Sequence, residues 1–265
     1  MRHLLLLLAL LIALPASAQD LFSSNPRRHA AAGGAALLDT LSDAGTLEYW
    51  AVPYADKAYC GASPCSDAGA VDSVVSLVNT QGVVSANITD GSGTSAVWDD
   101  SWAGFGGMPS VRLSASTRLS ILSADWAPDV QQPFWLFIVY DKTSQANSRV
   151  LFRASVTHAN RHIVQDPTAG EWHVDWDAGT MTGGDATDLG PHLMTLYLND
   201  ASSYLRVDGV QIASGTMGTN DLPALSWGWT EIADFGAIAV MTSVTDEQGA
   251  ECYLGDKFSI TVTGC

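Results

Sequence analysis

FWLFIVY, from Phe134 to Tyr140, is apolar at almost every position, and its reading decides the fold. A strand with one wet face alternates apolar and polar residues, so a run without alternation needs both faces covered. That is the situation of a central strand in a packed β-sandwich. Downstream, SSYLRVDGVQIASG (202–215) holds two alternating runs separated by Asp208-Gly209. A two-residue Asp-Gly connection suits a type I′ turn, whose positive φ angles few other pairs tolerate. The run at 134–140 is therefore assigned to the core, and 203–213 to a hairpin.

The same grammar of short apolar runs and turn clusters extends outward from both. Candidate strands are 74–78, 110–114, 149–154, 172–177, 192–199, 225–229 and 235–243. Many strands and almost no helices predict an all-β, antiparallel two-sheet jelly-roll sandwich. One short C-terminal helix is expected near 245–257. Thr245 with Gln248 fits a capping box, Asp246 and Glu247 suit the positive end of the helix dipole, and Ala250, Tyr253 and Leu254 share a face. Gly249 and Gly255 weaken it, each by about 1 kcal/mol relative to Ala.

Composition agrees. The chain has 265 residues, 47% apolar and 15% charged, with 24 Gly and 9 Trp, enough for one packed core. Of its 28 acids 23 are Asp, the acid of turns and caps. Twelve Lys and Arg leave a formal charge of −16, which disfavours nucleic acid as a partner because phosphate binding draws on cationic contacts. The first eighteen residues read as a signal peptide: Arg2 and His3, an apolar run from Leu4 to Leu14, Pro15, then Ala16-Ser17-Ala18. That run is about half of the roughly 20 residues a spanning helix needs, so no membrane span is expected. Residues 19–36 read as a flexible leader and 37–265 as one domain, secreted or periplasmic.

Export places Cys60, Cys65, Cys252 and Cys265 in an oxidising compartment, where an even count points to disulfide bridges. Local pairing, Cys60–Cys65 and Cys252–Cys265, closes the shortest loops. A cross-pairing that joins the two regions stays open, as does, more remotely, a structural zinc site.

PFWLFIVYDK, RVLFRAS, HLMTLYLNDASSYLRVDGVQIASG and LSWGWTEIADFGAIAVMTSVTDEQGAECYLGDKFSI, taken in order, resemble the concanavalin A-like lectin/glucanase superfamily, and within it the laminin-G-like jelly rolls. The matching elements are Val207-Asp208-Gly209, the strand with Gly228, Gly236-Ala237-Ile238 and the segment 245–257. The resemblance spans about residues 70–262. It implies a recognition module for a glycan or an extracellular protein, without turnover. Residues 37–70 match nothing in that pattern.

Candidate residues follow from chemistry. Sugar binding needs an aromatic platform with planar polar partners, and Trp98, Asp99, Asp100, Trp102 and Phe105 in a Gly-rich stretch supply one. Trp227 and Trp229 lie two apart on one strand face, which fits core. Along EWHVDWD, strand alternation sets Glu171, His173, Asp175 and Asp177 on one face and Trp172, Val174 and Trp176 on the other. A divergent glycoside hydrolase or polysaccharide lyase would use Glu171, Asp175 and Asp177 there, although the strand lacks the Glu-x-Asp-x-x-Glu spacing of the glucanases. Calcium is a candidate cofactor because laminin-G-like folds use it and hard cations take Asp-rich loops; Asp99 with Asp100, or Asp177, Asp185 and Asp188, are the ligands expected. A third reading is a structural subunit of a surface layer or fibre. Gly91-Ser92-Gly93 is followed by Trp98-Asp99-Asp100 and reads as a loop. Asn87-Ile88-Thr89 is a glycosylation sequon.

Overall fold

The computed structural model describes residues 96–113, 129–143, 150–154, 161–165, 169–227 and 233–265, together with 46–51, 58–60, 63–64, 66, 70–71, 73–74, 78–79, 88–90 and 119–121. The signal peptide and leader expected at 1–36, Cys65, Asn87, the stretch 91–95 and Trp229 lie outside these residues, as does the side chain of Trp227.

The described residues form two antiparallel sheets. The first runs in the order Val210–Gly215, Ser203–Val207, Gly190–Leu198, Phe134–Lys142, Ala233–Thr242, Met108–Leu113, Ala96–Trp102, Ala70–Val71, and Thr46–Ala51 also pairs with Ala233–Thr242. The second runs Gly179–Asp185, Glu171–Trp176, Arg161–Gln165, Val150–Arg153, Leu225–Trp227, Leu119–Ile121, Ile88–Asp90, Ser73–Val74, Ala58–Cys60, Ser63–Pro64. This is the all-β sandwich that the apolar run at 134–140 demands.

Phe134–Lys142 lies between Gly190–Leu198 and Ala233–Thr242, in the middle of the first sheet. Phe134, Leu136, Ile138 and Tyr140 point into the space between the sheets, where they meet Trp172, Val174 and Trp176 from the second. Phe137 and Val139 point the other way, into a smaller core with Phe105, Leu193, Ala250, Leu254 and Phe258. The second face is thus covered by the helix Glu247–Phe258 rather than by a third sheet. Fully burying each of these large side chains contributes about 1.5–3 kcal/mol, which makes this strand the centre of both cores.

The helix starts one residue later than the capping-box reading. Asp246 is the N-cap and accepts from the Gly249 backbone N–H at 2.8 Å, so an Asp, the better cap, displaces Thr245. Cys252 in the helix is bonded to Cys265, with Cα atoms 5.4 Å apart. The hairpin turn has the expected form: Asp208 and Gly209 have φ of 49° and 77°. Two stretches read as loops are strands. Trp98, Asp99, Asp100 and Trp102 lie on Ala96–Trp102, and the Asp-rich segment 177–188 contains Gly179–Asp185. In both cases cross-strand pairing overrides the turn preference of Asp and Gly.

Gly179–Asp185 ends the second sheet and abuts Val210–Gly215 at the end of the first. The backbones come so close that a Cβ on Gly183 would lie 2.2 Å from the Ile212 carbonyl oxygen. Glycine here closes the sandwich along one side. Among the described residues, no helix is long and apolar enough to cross a membrane.

Candidate functional site

On the second sheet, a single register line crosses the strands and carries polar residues throughout. Thr180 pairs with Asp175, Asp175 with His162, His162 with Arg153, Arg153 with Ser226, and Ser226 with Ser120. Their chain neighbours Trp176, Val174, Ile163, Phe152, Leu225 and Leu119 are core residues, so alternation turns the whole line outward. The face expected for EWHVDWD holds for Glu171, His173 and Asp175. Asp177 leaves it: at φ 56° in the hairpin turn it pairs with Arg161 Nε at 2.9 Å.

Asp175 is the hub. Its Oδ1 lies 2.9 Å from His173 Nε2 and accepts from Thr180 Oγ1 at 2.7 Å, while Oδ2 lies 3.3 Å from His162 Nε2. With Nε2 carrying the proton, His173 donates to Asp175 Oδ1. The result is a fixed set of planar groups with a guanidinium one strand further on. Glu171 is four residues from Asp175, about 13 Å along an extended chain. Retaining chemistry needs about 5 Å and inverting chemistry at most about 9.5 Å.

The aromatic set expected to bind ligand is divided. Trp98 and Phe105 are buried, Trp98 between the sheets and Phe105 edge-on against Phe258 at 5.7 Å, which removes them from a binding platform. Asp99 caps the Ser101 backbone N–H, and Asp100 is exposed. Trp102 is half-buried on the outward face of the first sheet. Its Nε1 donates to Asp141 at 2.6 Å, and the Arg112 guanidinium lies 4.5 Å over its ring. Arg112 also reaches Asp234 at 3.2 Å, which accepts in addition from Ser110 Oγ. Burial pushes the Asp234 carboxyl up to about 6 against the pull of Arg112 and Ser110. Asp141 is raised for the same first cause, opposed by Trp102, His192 and Arg112. Trp102 is thereby tied down as the cover of a buried acid pair.

The acids expected to hold calcium do not converge. Asp177 faces Arg161, Asp185 accepts from Thr187, and Asp188 lies 3.8 Å from His192. Among the described residues, no group of three or more His, Cys, Asp or Glu is placed to hold a metal ion. His192 also meets Asp208 at 2.7 Å; burial works against its charge, but Asp208, Asp188 and Asp141 together raise its pKa.

One constellation escapes sequence reading. Trp135, Tyr197 and Tyr204 form a ladder on three neighbouring strands, with centroids 4.3 and 4.9 Å apart. Glu247, at the start of the helix, accepts from Trp135 Nε1 at 3.1 Å and from the Tyr204 hydroxyl, and pairs with Arg206 at 3.3 Å. The rings stand beside one another across the strands, so their edges point outward and Glu247 caps them. Tyr197 and Tyr204 share a face because the register pairs them across the turn at Asp200–Ser202, which alternation alone does not give; the partner on 134–140 depends on sheet order.

Neither a family model nor a curated protein sequence matches the chain. Solved structures resemble it as folded objects. A Trypanosoma rangeli sialidase, in complex with a difluoro derivative of KDN, aligns with 81% of this chain and 33% of its own at a TM-score of 0.51 and 10% identity. Domain 4 of AbnA, an extracellular arabinanase from Geobacillus stearothermophilus in complex with arabinotriose, covers 63% of this chain and 82% of that one, at 0.44 and 10%. A botulinum neurotoxin type C structure, described as dependent for cell entry on two ganglioside molecules, covers 70% and 51%, at 0.47 and 9%. The chain therefore spans about a third of the sialidase and half of the toxin chain. The sialidase likeness is one of fold, and it places this chain in the class of all-β, two-sheet sandwiches.

Proposed function

We propose that the chain is a carbohydrate-recognition module whose site is the outward face of the second sheet around Asp175. One observation carries the reading: Thr180, Asp175, His162 and Arg153 stand side by side on four adjacent strands, with His173 locked to the same carboxylate. Sugar hydroxyls are bound by planar groups held in fixed orientation, and a cross-strand line of hydroxyl, carboxylate, imidazole and guanidinium supplies donors and acceptors without further rearrangement. The order of motifs after residue 70 supports kinship with laminin-G-like jelly rolls, and residues 1–18 support export, which would bring the site to extracellular glycans.

The test is retention of the protein on immobilised arabinan, β-glucan and alginate, with chromatographic analysis of the polymer afterwards. Binding to at least one polymer, at least tenfold weaker for Asp175→Ala and with the polymer unchanged, is the expected outcome. Retention unaffected by Asp175→Ala moves the site elsewhere, and shortened or unsaturated products replace recognition with catalysis.

A further inference from the structure

The aromatic ladder on the outward face of the first sheet has a pairing order that continues one strand beyond its last ring. Trp135 pairs with Tyr197, Tyr197 with Tyr204, and Tyr204 with Ser214 on Val210–Gly215, the strand that ends the sheet. The centroid separations of 4.3 and 4.9 Å match the spacing of neighbouring strands, and the ring planes are inclined by only 30° and 41°. The ring faces are therefore turned toward one another across the strands. At one end Trp135 pairs with Met241, which is buried in the smaller core. At the other end, the face of Tyr204 turned away from Tyr197 looks over Ser214, a small and exposed residue.

Tyr204 stays half-buried although Tyr197 covers one face and Glu247 holds its hydroxyl. Among the described residues, no second ring or cation lies against it: Arg206, two positions along, is drawn to Glu247, Glu251 and the Gly209 carbonyl. The strand below the open face turns Ala213 and Ile212 into the main core, and leaves Ser214 and Gln211 exposed. Gln211 pairs with Arg206, about 7 Å along the strand from the Tyr204 pair. Among the described residues, the side chains of Ser214 and Gln211 hold no hydrogen bond, so a hydroxyl and an amide offer donors and acceptors beside an aromatic face. We infer that this edge is a second glycan site, separate from the one around Asp175, at which a pyranose ring stacks on Tyr204 as the fourth rung of the ladder. A pyranose joins an apolar C–H face to a rim of hydroxyls. The face matches the phenol ring, and the rim matches Ser214 and Gln211. An aromatic side chain of a peptide would gain the stacking and leave both polar groups unmatched. The two sites share a class of ligand and no residue, so each stands or falls alone.

Saturation-transfer NMR on the full-length protein tests this, with methyl β-glucopyranoside and methyl β-galactopyranoside as probes and N-acetyltryptophanamide as the rival. Irradiating the aromatic protons of the protein should saturate the axial C–H protons on one face of at least one glycoside. The transfer should persist in Asp175→Ala and vanish in Ser214→Trp, whose own ring takes the fourth rung. Aromatic residues suit an exposed strand position, so the unfolding midpoint of Ser214→Trp should not fall. Ser214→Ala, which removes one hydroxyl and nothing else, should weaken binding about threefold and gives a second reading. Transfer unchanged in Ser214→Trp overturns the site, as does transfer to the tryptophan amide and to neither glycoside, or to no probe at all. Transfer that disappears in Asp175→Ala assigns all binding to the second sheet, which overturns this inference and leaves the proposed function standing.

Discussion

Asp141 and Asp234 stand opposite each other on adjacent central strands of the first sheet, both closed to solvent, with one guanidinium, Arg112, in salt-bridge reach of Asp234. Burial raises both carboxyls, Asp234 to about 6 from 3.8. A carboxyl with a raised folded pKa holds its proton more tightly folded than unfolded, so stability falls as pH rises from about 4 to about 6. At 1.36 kcal/mol per pKa unit, Asp234 alone gives a difference of roughly 3 kcal/mol. His192 has the same sign: its raised folded pKa adds stability that is complete below its unfolded value of 6.5 and disappears as pH rises through the folded one.

The protein should therefore be more stable at pH 5 than at pH 7.5, opposite to common acid sensitivity. Denaturant titrations across this range measure the slope. Lower overall charge repulsion also favours acidic pH in a chain of −16, so Asp234→Asn is the control. It should flatten the slope between pH 4 and 6 while the general charge effect persists; an unchanged slope in the variant would refute the assignment.

Glu247 gathers Trp135, Tyr204 and Arg206 at the start of the helix. Its removal leaves the Trp135 and Tyr204 donors half-buried without their acceptor, while Arg206 keeps Glu251 at 3.0 Å and the Gly209 carbonyl, and each lost acceptor costs about 1–3 kcal/mol. Glu247→Ala should lower stability by roughly 2–4 kcal/mol and alter Trp135 emission in the folded state. Glu247→Gln, which keeps an acceptor for one of the aromatic donors, should recover part of that loss. Equal stability of the two variants would show that only charge matters there.

The parts of this fold legible in sequence are those where local pattern and tertiary placement agree. The run 134–140 announces a strand covered on both faces, and Asp208-Gly209 announces its own turn. What was not legible depends on who sits next to whom. Ala96–Trp102 and Gly179–Asp185 read as loops because Asp and Gly favour turns, yet strand neighbours recruit both. Trp98 and Phe105 are shaped like a sugar platform in sequence and are core residues in space, because aromatic chemistry alone does not say which face is wet. Asp175 and His173 were visible as sharing a face, whereas His162 and Arg153 joined them only once the strand order was known.

Gly183 and the Ile212 carbonyl define the seam between the two sheet edges. A Cβ on Gly183 would lie 2.2 Å from a backbone oxygen rather than a flexible side-chain tip, so the strands must part. Gly183→Ala should cost roughly 1–3 kcal/mol, the usual range for overpacking. Thr182→Ala, on the exposed neighbour, should stay within about 0.5 kcal/mol. Denaturation midpoints of the pair measure this, and similar midpoints would mean that the seam opens without cost.

Cys252 and Cys265 join the helix to the last residue across a separation of 13. The tail between them is not idle: Ile260 and Val262 pack in the smaller core, and Thr263 N–H donates to the Asp208 carbonyl at 2.8 Å, tying the tail to the hairpin turn. A closed loop of this length restricts the unfolded chain by about 3 kcal/mol in the chain-entropy model. The double variant Cys252→Ser, Cys265→Ser should therefore unfold at lower denaturant by roughly 2–3 kcal/mol. Hydrogen exchange should also quicken at Thr263 and at Ile260, whose N–H donates to the Gly255 carbonyl. If only global stability falls and those two amides stay protected to the same degree relative to the rest, the bridge acts on the unfolded chain alone and packing holds the tail without it.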